Sequence, residues 1–179
     1  AELALDLELH DANWHLRDLN VIASAAQDVR SAFDLMPTAT ADDWNVIATR
    51  LAAVPDALRG YTETLRAGIA AGVTPARRQV VEVATQIDRY TADDGFFAAF
   101  VADASPDTGS LPASLARTLA DSSAAARVAY FELRNFLAEE LAPAAGDLDA
   151  VGRDLYALNS RRFLGATIDL DETYEWGRE

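Results

Sequence analysis

The sequence predicts an all-α fold, an array or bundle of about seven to nine helices with no sheet, and three observations carry the prediction. Apolar residues recur at helical spacing along most of the chain, capping and stop residues bracket the periodic stretches, and no convincing strand pattern occurs. The 179 residues suit one domain with a proper core, and half of them are hydrophobic, too many for a disordered chain.

The first segment is the ambiguous one. Leu3, Leu5, Leu7 and Leu9 alternate as in a strand, yet Leu, Ala and Glu favour helix and no β-branched residue precedes Val21. Read at helical spacing, Leu5, Leu9, Ala12, Leu16 and Leu19 form one stripe. Ser24 caps a second helix running towards Met36, with Val29, Phe33 and Met36 on its inner face and Pro37 as its stop. Thr40 caps a third, with Asp42 and Asp43 in the first turn, where the helix dipole favours acids. Trp44, Ile47, Ala48 and Leu51 are its core stripe, Pro55 interrupts, and a fourth helix carries Leu58, Tyr61, Leu65 and Ile69 to a stop at Gly72.

Thr74-Pro75 then predicts a helix start, a cap followed by Pro at the first helical position, and this helix buries Val80, Val83, Ala84 and Ile87. From Thr91 to Gly109 the pattern weakens to a short helix at Gly95–Phe100 and a loop. An internal boundary is therefore marked near 103–111 within an otherwise single helical domain over 1–179. The longest helix is expected from about Leu111 to Leu141, with small residues at Ser122–Ala126 that admit a close neighbour. Asp147 caps a further helix to about Phe163, and Asp169 with Glu172 forms a capping box that opens the last one. The first residue is not Met, which suggests that a leader or upstream segment was removed or never cloned, and the well-capped last helix is cut off at Glu179, so the chain is expected to be the N-terminal fragment of a longer protein.

Charge and composition exclude several function classes. With 29 acidic against 15 basic residues the net charge is -14, which disfavours nucleic acid and anionic membrane surfaces as partners. No apolar run of about 18 residues is present to span a membrane. The acidic start lacks the features of a signal peptide, which favours the cytoplasm and leaves a removed leader open. Every basic residue is Arg, the imprint of a GC-rich coding sequence, and the absence of Cys excludes disulfides and thiolate chemistry.

No catalytic residue and no metal ligand is selected. His10 and His15 stand five apart, a rotation of about 140° on a continuous helix, whereas helix-borne zinc ligands stand four apart. The acid pairs Asp42/Asp43, Asp93/Asp94, Glu139/Glu140 and Asp169/Asp171 lie mostly at helix starts, where capping accounts for them. One feature breaks a local rule. Arg77 and Arg78 sit in the first turn after Thr74-Pro75, where a cation costs about 0.3–1 kcal/mol. Either an ion pair with a neighbouring helix offsets that cost, or the two arginines recognise a carboxylate or a partner surface. Arg17, Asp18 and Asn20, in a helix-to-helix break, form a second candidate binding group beside local hydrogen bonding.

The order of several stretches resembles a bacterial family known as domain of unknown function 885. They are Arg17–Ser24, Phe33–Thr38, Arg50–Leu58 followed by Tyr61, Leu65 and Gly68, and Tyr156 with Leu164-Gly165 and Ile168–Gly177. Members of that family are several hundred residues long, mostly helical, and look like relatives of helical zinc carboxypeptidases and dipeptidases. The resemblance implies a metallopeptidase-like parent, with a His-Glu-x-x-Pro-Gly-His type of motif on a later helix and zinc in the full-length protein. That motif is absent here, so no cofactor is expected in this chain. What the resemblance implies for residues 1–179 is a helical wall of a substrate cleft. Its partners would be the rest of its own polypeptide and a peptide-like substrate. The alternative is a free-standing helical interaction or ligand-binding domain.

Overall fold

The computed structural model describes residues 2–107 and 109–178, which form helices, turns and loops with no strand among them. Thr108, inside the expected boundary, and the terminal Ala1 and Glu179 lie outside the described residues. In chain order the helices are α1 (Glu2–Asp11), α2 (Ala25–Ser31), α3 (Ala41–Ala71), α4 (Arg77–Thr91) and α5 (Phe96–Ala102). They continue as α6 (Ala113–Phe136), α7 (Ala142–Ala144), α8 (Arg153–Leu164) and α9 (Leu170–Trp176). Single 3-10 turns at Trp14–Arg17 and Ala32–Leu35, and a π turn at Leu137–Leu141, fill out the helical parts.

Three helices make the centre. Arg66, near the end of α3, meets Glu140 beyond the end of α6 at 2.9 Å, so these two helices run the same way. Arg77 at the start of α4 reaches Ala142 and Ala145, while Thr91 at its end receives Arg127, so α4 runs back against α6. Their facing stripes are buried: Ile47, Leu51, Leu58 and Leu65 from α3, Val80, Val83 and Ile87 from α4, Leu119, Ala126 and Leu133 from α6. The small residues expected to admit a neighbour in α6 do so. Ser123 Oγ donates to the Phe97 carbonyl at 2.7 Å and seats α5, whose Phe97 is fully buried against Tyr130 and Phe33. Tyr130 in turn donates its hydroxyl to the Ala26 carbonyl at 2.9 Å, tying α2 to the same core.

Several local expectations yield to tertiary packing. Pro55 does not interrupt anything: α3 is one helix of 31 residues. A proline inside a helix costs about 3 kcal/mol or more, but each fully buried Leu or Ile returns about 1.5–3 kcal/mol, and the stripe from Trp44 to Gly68 straddles Pro55. The first helix, by contrast, breaks early. Asn13 takes the left-handed conformation (φ 57°) and the chain restarts as a 3-10 turn at Trp14, so the expected single stripe to Leu19 is not continuous. The helix after Thr74-Pro75 starts two residues later, with Ala76 as its uncapped lead-in. The helix expected after Leu111 runs without a break from Ala113 through the π turn at Leu137–Leu141 to Ala144, so it matches the uninterrupted α3 in length. Asp147 caps nothing. Gly152, at φ 86°, precedes α8, and Asp147 pairs with Arg77 at 3.1 Å instead. The caps at Ser24, Thr40 and Asp169 fall where the sequence predicts, though at Asp169 only half of the expected box forms, its side chain accepting from the amides of Asp171 and Glu172 without a return bond from Glu172.

Outside this core lies a looser layer. Helix α1 packs on α8 through buried Leu9 and a two-point ion pair between Glu8 and Arg161, at 2.6 and 3.2 Å. Arg153 and Asp171 join the start of α8 to α9 with two bonds of 2.8 Å. The connected buried core runs only from Leu19 to Ala145. Leu3, Leu7, Phe163, Leu164, Tyr174 and Trp176 in the outer layer are all exposed. No helix among the described residues is long and apolar enough to cross a membrane.

Candidate functional site

Two of the five residues singled out in the sequence, Arg17 and Asn20, line one corner, where the turn at Trp14–Arg17, the link from Asp18 to Ser24, the start of α4 and the segment 148–151 converge. A cavity of about 340 Å³ opens there, lined by Trp14, Arg17, Asn20, Ala76, Gln79 and Val151 among others. Arg78 reaches its edge through its partner Asp149, which is on the lining, whereas Arg77 pairs with Asp147, which is not.

The link holds its shape by local and long-range hydrogen bonds. Asn20 Oδ1 accepts from the amides of Ile22 and Ala23, both at 2.8 Å, which folds the backbone into an Asx turn. Gln79 and Gln86, two turns apart on one face of α4, grip Val21: its amide donates to Gln79 Oε1 at 3.1 Å and its carbonyl accepts from Gln86 Nε2 at 3.0 Å. Gln27 Nε2 donates to Gln86 Oε1 and to the Asn20 carbonyl, while its Oε1 accepts from Ser24. The glutamines were the residues missed in the sequence. Their signal is weak, polar side chains beside the buried stripe of α4, and their partners lie about sixty positions away.

The candidates separate by what occupies them. Arg77 is fully engaged: Nε donates to the Ala142 carbonyl at 3.1 Å, Nη2 to the Ala145 carbonyl at 2.9 Å, and Asp147 lies beside it. Its own amide donates to Gly146. Arg78 makes an exposed pair with Asp149 at 2.8 Å. The unfavourable position of both cations is thus offset by neighbouring carbonyls and acids, the simpler of the two expectations. Asn20 is committed to its turn. Asp18 gives its carbonyl to the Tyr61 hydroxyl at 2.7 Å, and burial pushes its carboxyl above the usual range, with Arg162 opposing and Asp28 adding to the effect. Arg17 differs from all of these. Its guanidinium makes no ion pair or hydrogen bond among the described residues, and its Nε is buried without a partner.

The histidines do not behave as a continuous helix requires. The break at Asn13 folds His15 back onto His10, so their rings stack 4.4 Å apart and within 5° of parallel. Imidazole lone pairs lie in the ring plane, so two parallel rings do not converge on one ion at the bond length of about 2.0–2.1 Å that zinc requires. The nearest acid, Asp11, stands 3.9 Å from His10 and is exposed. Among the described residues no three His, Asp or Glu side chains gather as metal ligands. The zinc implied for a full-length parent therefore does not fit the residues here. One acid of each pair is tied up elsewhere: Asp43 in the Thr40 cap, Asp93 with Arg127, Glu140 with Arg66, Asp171 with Arg153.

Over residues 1–179 the chain matches the profile of a family described as a bacterial protein of unknown function (DUF885). No curated protein matches it.

Proposed function

Because the chain belongs to the bacterial DUF885 family, we propose that it is the N-terminal helical scaffold of a peptidase-like, metal-dependent hydrolase, lining the substrate cleft and inactive alone. The observation that supports this reading best is the apolar outer layer. Phe163, Tyr174 and Trp176 are 86%, 65% and 76% exposed, on helices that contribute nothing to the connected core. Large exposed apolar patches on a folded protein mark a surface that something else covers. Here the covering body would be the catalytic part of the same polypeptide.

Two measurements test it. The isolated chain should bind no zinc stoichiometrically and cleave no peptide; one tightly held ion per chain overturns the proposal. Reading the gene past Glu179 should reveal a long continuation carrying a His-Glu-x-x-His-like helix, and a stop codon close by overturns it too. In the second case the chain would be a free-standing ligand-binding domain, a reading that the cavity beside Arg17 favours.

A further inference from the structure

We infer that Arg17 is the receptor for a carboxylate, and that the cavity beside it takes a small monocarboxylate with an apolar body. This holds whether or not the chain serves a peptidase. The first argument is the state of the arginines. Most are ion-paired in this acidic protein. Arg50, Arg89, Arg117 and Arg162 also lack an acidic partner among the described residues, but all four are exposed, where water solvates the charge. Arg17 alone of this group is half-buried. Its Nε has no partner at all, and a buried donor on a charged group is costly to leave unmet.

The second argument is the cavity itself. Its volume of about 340 Å³ lies at the lower end of small-molecule sites. Trp14, Leu19, Leu148 and Val151 supply apolar wall. Gln79 has its Oε1 occupied by the Val21 amide, which leaves its NH₂ as a second donor on the lining. Asp149 also lines the cavity, but its charge is met by Arg78 at 2.8 Å. A planar guanidinium matches a carboxylate in two-point geometry. A dianion such as phosphate would meet Asp149 and a chain of net charge -14, so a monoanion is preferred. The carboxylate of a free acid and that at the end of a peptide present the same chemistry to Arg17.

The test is calorimetric titration of the whole chain with 3-phenylpropionate, its amide, and the tripeptide Ala-Ala-Phe as free acid and as C-terminal amide. At least one acid should bind saturably, with its amide weaker by about tenfold or more, the loss expected when one charged hydrogen-bond partner is removed. Arg17→Gln should bring that acid down to the affinity of its amide and leave the amide unchanged. Stronger binding of phenylpropionate assigns the site to free acids, and stronger binding of the tripeptide assigns it to peptide ends. Equal binding of acid and amide, no saturable binding of either acid up to about 10 mM, or unchanged binding in Arg17→Gln overturns the inference. Should that variant fail to fold, the acid-to-amide ratio in the unaltered chain decides alone.

Discussion

Replacing Arg77 with alanine, and separately its neighbour Arg78, distinguishes two cations that the sequence presents as equivalent. Arg77 donates two charged hydrogen bonds, to carbonyls of Ala142 and Ala145, residues that are themselves 8% and 2% exposed. Such bonds are worth about 1.5–3 kcal/mol each when fully buried, and roughly half that for a side chain as open to water as this one. Its pair with the exposed Asp147 adds about 0.5 kcal/mol at most, and removing a cation from a helix start returns about 0.3–1 kcal/mol. The net cost of Arg77→Ala is therefore about 2 kcal/mol, or a fall in Tm of about 4–8 °C for a chain of this size. For Arg78→Ala the exposed pair and the dipole relief cancel, and the change is about zero. Arg77→Lys should recover less than half of the loss, because an ammonium does not span two carbonyls as the planar fork does. Thermal unfolding followed by circular dichroism at pH 7 measures all three. An Arg77→Ala variant within about 0.5 kcal/mol of the parent, or an Arg78→Ala variant equally destabilised, would refute the assignment.

Gly68→Ala should destabilise by about 1–3 kcal/mol or more, since a Cβ there would meet the backbone carbonyl of Leu16 and would stand 2.6 Å from that of Val73; urea unfolding measures it, and an unchanged midpoint would contradict the close approach. Burial, aided by Tyr90 for Tyr130 and by Asp18 for Tyr61, raises both hydroxyls above the ordinary phenol range. A raised folded-state value means that the contribution is intact below the unfolded value of about 10 and is lost as pH rises beyond it. Stability should therefore fall above about pH 10, and a Tyr61→Phe, Tyr130→Phe double variant should show a shallower fall; an identical slope would contradict the burial argument.

Much of the fold is legible in the sequence because helix ends carry local chemistry. Ser24, Thr40, Gly72 and Asp169 all act at the ends where they are expected. The failures come where a distant residue outvotes a local rule. Pro55 obeys the packing of α3 against α6 rather than its own missing amide, and Asp147 turns to Arg77 instead of capping α8. The break at Asn13 has no Gly or Pro to announce it, only a residue type that tolerates the left-handed region. The candidate corner was half visible. Arg17, Asn20, Arg77 and Arg78 could be named from their positions, but which of them is free depends on carbonyls at Ala142 and Ala145 and on a cavity wall at 148–151. No local pattern encodes those pairings across roughly seventy to a hundred and thirty positions.

The clasp between α1 and α8 belongs to a layer fastened differently from the inner core. The inner layer is cemented by apolar contact from Leu19 to Ala145. The outer one holds the buried Leu9 but is fastened chiefly by the arginine–carboxylate couples Glu8–Arg161 and Arg153–Asp171, whose side chains are partly or largely open to solvent. Dissolved ions shield the second kind of fastening, with a screening length of about 8 Å at physiological strength, while sulfate strengthens the first. Raising sulfate works on the two layers in opposite senses. With rising sulfate, amide hydrogen exchange should therefore quicken in α1, α8 and α9 relative to the three-helix centre, and a uniform change across all of them would contradict the distinction.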